Sequence, residues 1–265
     1  MGNKTSKDSP VAKTKQSTVS VGYGRDTNVS GSYGGSSYGY NSYGYNSYRR
    51  VPVVKPVVIE EIETNPEHFK IVMIVDESGS MSTIRNDIIG SINTFITEQQ
   101  KEKCTIPTTF TLIKFSYDAT TVINNKELNE IKTLGENDYV PRGGTALFDA
   151  IGGTIEKWNK MKNVLMVIVT DGEENESKFY TKNEITKMIE DKKINNGWTY
   201  VYLSNDLSVS KQGEDIGLSS STCVTNKVVK KECFGAYISD DLDKATKAYR
   251  RGGTSTIQSV LNKPW

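Results

Sequence analysis

The sequence predicts an α/β fold. It is a doubly wound, Rossmann-like sheet, mostly parallel, with one antiparallel edge strand and helices on both faces. Three observations carry this. Two segments, FKIVMIV (69–75) and NVLMVIVTDG (163–172), hold apolar runs without alternation, the pattern of strands buried on both faces. Helix-like segments separate most of the strand-like ones, as crossovers between parallel strands require. The two most apolar runs each lead into an aspartate, Asp76 and Asp171, and open sheets of this kind bind ligands beyond the carboxyl ends of their strands.

FKIVMIV is the first strand. Ile84, Ile88, Ile92 and Phe95 then recur at helical spacing, which predicts an amphipathic helix over about 83–102. TTFTLIKFS (108–116) alternates as a strand, and ATTVIN (119–124) follows after a two-residue turn, so the pair reads as a hairpin that supplies the antiparallel edge. The turn-rich GENDYVPRGGT (135–145) precedes a helix at about 146–160. After the second apolar strand come a helix at about 181–194, a strand in GWTYVYLSN (197–205), a short helix near 207–215 and a short strand in STCVTN (221–226). A last helix, about 233–250, alternates Asp, Lys and Arg, which predicts one solvated face.

Residues 1–50 contain no Leu, Ile, Phe or Trp, and half of the chain's 14 tyrosines. GYNSY occurs twice there. Such composition cannot offset chain entropy by burial and predicts a disordered tail. The tail is basic, with seven Lys or Arg against two Asp, whereas the whole chain has a net charge of +1. Its spaced tyrosines suit a flexible spacer, self-association or stacking on single-stranded nucleic acid. VPVVKPVVIEEIETNP (51–66) reads as a linker with prolines, 67–251 as the globular domain and 252–265 as a C-terminal extension.

The near-neutral whole-chain charge gives no reason to expect nucleic acid at the folded domain. Three widely spaced cysteines (Cys104, Cys223, Cys233) match neither a disulfide framework nor a zinc spacing. With no membrane-length apolar run and no signal-like segment, a cytoplasmic location is expected. The single histidine, His68, lies in a polar stretch, which argues against triad or His-metal chemistry and for a solvated role. The start, MGNKTS, fits the N-myristoylation pattern at Gly2. One acyl chain anchors weakly, so Lys4, Lys7, Lys13 and Lys15 would supply the second, electrostatic signal for a peripheral membrane contact.

Three segments are expected to converge at the carboxyl edge: Asp76-Glu77-Ser78-Gly79-Ser80, Gly143-Gly144-Thr145 and Thr170-Asp171-Gly172. Their carboxylates and hydroxyls are hard oxygen donors that suit Mg²⁺, Mn²⁺ or Ca²⁺. Two carboxylates at close range repel unless a cation lies between them. Neutral hydroxyls leave the ion electrophilic enough to take one more carboxylate from outside. The other reading makes Asp76 the N-cap of the helix that follows. Glu77, Glu173 and Glu174 read as rim charges.

These residues resemble the von Willebrand factor type A (vWA) domain with its metal-ion-dependent adhesion site (MIDAS). DESGS (76–80) matches the Asp-x-Ser-x-Ser motif, GGTAL (143–147) the segment with the threonine ligand, and VTDGEEN (169–175) the segment with the last aspartate. GWTYVYLSND (197–206) is similar to a stretch in microbial and viral members. The resemblance covers roughly 67–251. It implies Ser78, Ser80 and Thr145 as direct ligands, Asp76 and Asp171 acting mainly through water, Mg²⁺ as the usual ion, and an Asp or Glu of a partner protein at the sixth position. It therefore implies a protein-binding module without enzymatic activity, its tail serving localisation or clustering. Two other functions remain open at this stage. One is a Mg²⁺-dependent phosphoester hydrolase using Glu77 or Glu173. The other is a scaffold driven by the tail, or a copine-like membrane-associated protein.

Overall fold

The structure, a computed structural model, describes residues 68–103, 106–204, 207–219, 223–225, 238 and 242–252. The expected tail, linker, Gly2, Cys104 and Cys233, and the C-terminal extension beyond Gly252, lie outside the described residues.

Among the described residues six strands form one sheet: β1 (Phe69–Asp76), β2 (Thr108–Phe115), β3 (Ala119–Glu127), β4 (Val164–Val169), β5 (Thr199–Ser204) and β6 (Cys223–Thr225), in the order β3-β2-β1-β4-β5-β6. All pairings are parallel except β2–β3, the antiparallel hairpin that the sequence predicts. All eight residues of β1 and all six of β4 are buried, which is why neither alternates.

Side chains of β1 point alternately into two cores. Ile71, Met73 and Val75 pack with α1 (Arg85–Lys101) and α5 (Asp243–Gly252). Val72 and Ile74 pack with α2 (Leu147–Lys157), α3 (Lys182–Asn196) and α4 (Leu207–Asp215). The doubly wound α/β expectation is met: helices cover both faces. α3 opens on a reciprocal cap between Thr181 and Glu184 and closes on Gly197, whose φ of 65° lies in the left-handed region that glycine enters freely. Among the described residues no helix is long and apolar enough to cross a membrane.

Four features add to the expectations. The first helix begins at Arg85 rather than near 83, because Gly79–Ile84 winds as a tighter 3₁₀ turn. β2 alternates Thr with apolar residues yet has no solvated face: it lies inside the sheet, between β1 and β3, and Thr109 and Thr111 are buried. The edge strand β3 does not alternate in burial either: only Ile123 is buried, and the register shifts opposite Thr111, where Asn125 takes φ 47°. The last helix buries part of its polar sequence. Gln99 Nε2 donates to Asp243 O (3.1 Å) and Oδ1 (2.8 Å), and Arg250 donates to Gln99 O and Oε1, both at 2.8 Å. Asp243, Thr246 and Arg250 recur at helical spacing, so polar residues form the seam against α1.

Candidate metal centre

β1 and β4 are neighbours, paired as far as Val75 and Val169, so Asp76 and Thr170 come next to each other at the carboxyl edge. Strand order reverses here, with β2 on one side of β1 and β4 on the other. Asp76 is fully buried. Its Oδ1 accepts the Ser78 N–H (2.7 Å) and its Oδ2 accepts the Thr170 hydroxyl (2.6 Å). Ser78 Oγ lies 3.0 Å from Ser80 Oγ, and Ser80 Oγ donates to Asp171 Oδ1 at 2.6 Å. The third loop closes in through Gly143, whose carbonyl accepts the Gly79 N–H at 3.1 Å and whose φ of 79° requires glycine. A Cβ built on Gly172 would lie 2.9 Å from Thr145 Oγ1 and 3.5 Å from Asp76 Oδ2. Asp76, Ser78, Ser80, Thr145 and Asp171 thus meet through three separate loops. The capping alternative fails in its first form: α1 starts at Arg85, nine residues on, and Asp76 instead braces the turn at Ser78.

The donor chemistry fits a hard divalent cation. Burial raises the Asp76 carboxyl to about 6, against hydrogen bonds from Thr170 and Ser78, and the Asp171 charge adds to the rise. A cation at this point would remove that penalty. The Thr145 hydroxyl, in a residue only 3% exposed, has no hydrogen-bond partner among the described residues. Among those residues no three His, Cys, Asp or Glu side chains gather to hold an ion, so the site's capacity rests on hydroxyls as much as on its two carboxylates.

The supports of this site were less legible in the sequence. Glu77 is no rim charge. It is 5% exposed, pairs with Lys114 Nζ at 2.9 Å and accepts the Val140 N–H, so it straps the 139–142 segment to β1 and β2. Its own carbonyl accepts the Arg142 N–H. Tyr139 donates its hydroxyl to the Asp76 carbonyl. Glu174 is likewise structural: its carboxylate accepts the N–H groups of Phe148 (2.9 Å), Glu176 (3.0 Å) and Ser177 (2.7 Å). Glu173 alone is exposed, as expected of a rim charge. Lys114 left a signal, a charge inside a strand-like run; Glu174 left none, since its partners are backbone groups. His68 is half-buried rather than solvated.

Asn175 holds Thr145 from both sides. Its Oδ1 accepts the Thr145 N–H (2.9 Å) and its N–H donates to the Thr145 carbonyl (3.1 Å). Asn175→Ala is expected to weaken divalent-cation affinity about tenfold, as loss of a ligand-orienting contact does. Calorimetric titration with Mn²⁺ checks this; unchanged affinity would show that Thr145 needs no such brace.

The strand order, the helices on both faces and three oxygen-bearing loops at the switch point decide the architecture. The fold is that of the vWA domain. Solved structures similar to this chain include a von Willebrand factor type A protein from Catenulispora acidiphila, with 15% identity, a TM-score of 0.50, and coverage of 69% of this chain and 43% of that one. Another is proximal thread matrix protein 1 of the mussel byssus with a zinc-occupied MIDAS motif, with 18% identity, a TM-score of 0.50, and coverage of 71% and 49%. A third is the pilus adhesin SpaC from Lactobacillus rhamnosus GG, with 14% identity, a TM-score of 0.53, and coverage of 70% and 31%. At such identities the likeness is one of fold, and the chain spans less than half the length of each of these vWA-containing structures. No protein-family model and no curated protein matches the sequence.

Proposed function

We propose that this vWA unit is a metal-dependent protein-binding module rather than an enzyme. Ser78, Ser80 and Thr145 would hold Mg²⁺ directly, and Asp76 and Asp171 mainly through water. A bound ion supplies a Lewis-acidic position that takes an Asp or Glu side chain of a partner protein. The observation that carries this reading is the convergence of hydroxyl and carboxylate oxygens from three loops, with Ser80 linked to Asp171 at 2.6 Å across 91 residues of sequence. The zinc-occupied MIDAS of the mussel protein supports a divalent ion of this class, and the adhesin of similar fold supports a partner-binding role.

The hydrolase alternative loses one of its candidate bases, since Glu77 is engaged by Lys114 and the Val140 N–H. As part of the same proposal the protein acts in the cytoplasm. There the basic tail and a myristoylated Gly2 would bring it to a membrane or cluster it.

The test is retention of partners from cell extract by the immobilised full chain in Mg²⁺, in EDTA, and with Thr145→Ala. Capture that drops more than about tenfold in both arms, in line with the loss of a metal ligand, is the expected result. Capture that survives both changes sinks the reading.

A further inference from the structure

Tyr117, in the turn between β2 and β3, lies on the metal-site loop. A Cβ built on Gly143 would come 2.6 Å from its ring, and one on Gly144 would come 3.1 Å from it. The ring therefore rests on the bare backbone of the glycine pair next to Thr145. Yet Tyr117 is 52% exposed, so its ring keeps surface open to solvent beside the site. Val140, on the strap held by Glu77, is 47% exposed. Among the described residues only one other large apolar side chain, Ile194, is as exposed, and it belongs to α3. Arg142 and Asp118 are exposed, and the Glu176 side chain packs against Gly144 beside the Tyr117 ring, so both signs of charge border the glycine pair.

An aromatic ring with one side covered by glycine and the other open is a stacking platform for an aromatic or large apolar side chain. Successive residues of an extended peptide lie about 3.3 Å apart, so a residue next to a metal-bound acid stays within reach of the glycine pair.

We infer that the site reads a short extended motif, an acidic residue with an aromatic or large apolar neighbour. Tyr117 is the residue that selects the neighbour. This rests on the metal-dependent binding proposed above.

The test is selection of a random dodecapeptide display library on the immobilised full chain in Mg²⁺ with elution by EDTA, run in parallel on Tyr117→Ala, Tyr117→Phe and Asp76→Ala. The expected result is enrichment of Asp or Glu with Phe, Tyr, Trp or Leu within two positions. Synthetic peptides carrying that neighbour should bind about three- to tenfold tighter than glycine-substituted versions, the range of one aromatic contact. Tyr117→Phe keeps the preference; Tyr117→Ala loses it, while its remaining binding still requires Mg²⁺. A purely structural role for Tyr117 would change overall binding without changing which neighbour is preferred. Enrichment of acids with no apolar neighbour, or a preference unaltered in Tyr117→Ala, overturns the inference and leaves the metal-binding reading standing. No Mg²⁺-dependent enrichment, or enrichment undiminished by Asp76→Ala, overturns both.

Discussion

Gly172→Ala is expected to lose divalent-cation binding while keeping the fold. The added methyl would lie 2.9 Å from Thr145 Oγ1 and 3.5 Å from Asp76 Oδ2, between two of the oxygens that the proposed site brings together. Gly172 has no positive φ, so alanine meets no backbone strain there. The steric conflict therefore falls on the Thr145 hydroxyl, which must turn aside. Affinity for Mn²⁺ should fall by about 100-fold or more, at or beyond the upper end of what disturbing a ligand's orientation does. The melting temperature of the metal-free protein should stay within a few degrees, since a Gly-to-Ala change at a compatible backbone position alters stability by less than about 1 kcal/mol. Calorimetry and a thermal melt in EDTA measure both. Wild-type affinity in Gly172→Ala would show that the cation does not sit between Thr145 and Asp76.

Lys70→Met is expected to make the protein more stable at pH 6 and to change little at pH 11. Lys70 lies within β1 and is fully buried, its Nζ 3.7 Å from the centre of the Trp158 ring and hydrogen-bonded to Asn125 Oδ1. Burial lowers its pKa from 10.5 to about 7, the nearby Lys157 adds to the fall, and Glu127 opposes it. The unfolded chain thus binds this proton more tightly than the folded one. Below about pH 7 both states carry the charge and the full penalty applies. Between about 7 and 10.5 the unfolded state holds more protons, so the stability of the wild type rises with pH. Methionine removes that dependence. At about 1.36 kcal/mol per pH unit, the difference between variant and wild type at pH 6 amounts to a few kcal/mol. Asn125, the partner left behind, is exposed and can turn to water. Urea unfolding of both proteins across pH 6–11 reads the difference; parallel curves would mean that Lys70 is charged and well compensated in the fold.

Much of the fold was legible because burial on both faces leaves a direct trace. A parallel strand inside a covered sheet has to be apolar throughout, and 69–75 and 163–169 are. The hairpin, the order of helices and the DESGS turn followed from local pattern in the same way. β2 was harder: its Thr-apolar alternation looks half-solvated, and only its place between β1 and β3 buries the threonines. The seam of Gln99, Asp243 and Arg250 was hidden for a similar reason: the last helix has the solvated face its pattern predicts, with Lys244 and Arg251 exposed, but sequence spacing does not reveal that Asp243 and Arg250 find a partner on another helix.

The sequence by itself determined which residues of this protein carry oxygen donors and at which strand ends they stand, since a carboxylate closing an apolar run can be buried only with polar partners or an ion. The tertiary structure decided the rest. It made Glu77 and Glu174 braces, set Asn175 against Thr145, laid Tyr117 across the glycine pair and placed Gly172 between Thr145 and Asp76. Those roles depend on distances between segments up to 100 residues apart, which the packing of the sheet and its crossovers sets and local composition does not.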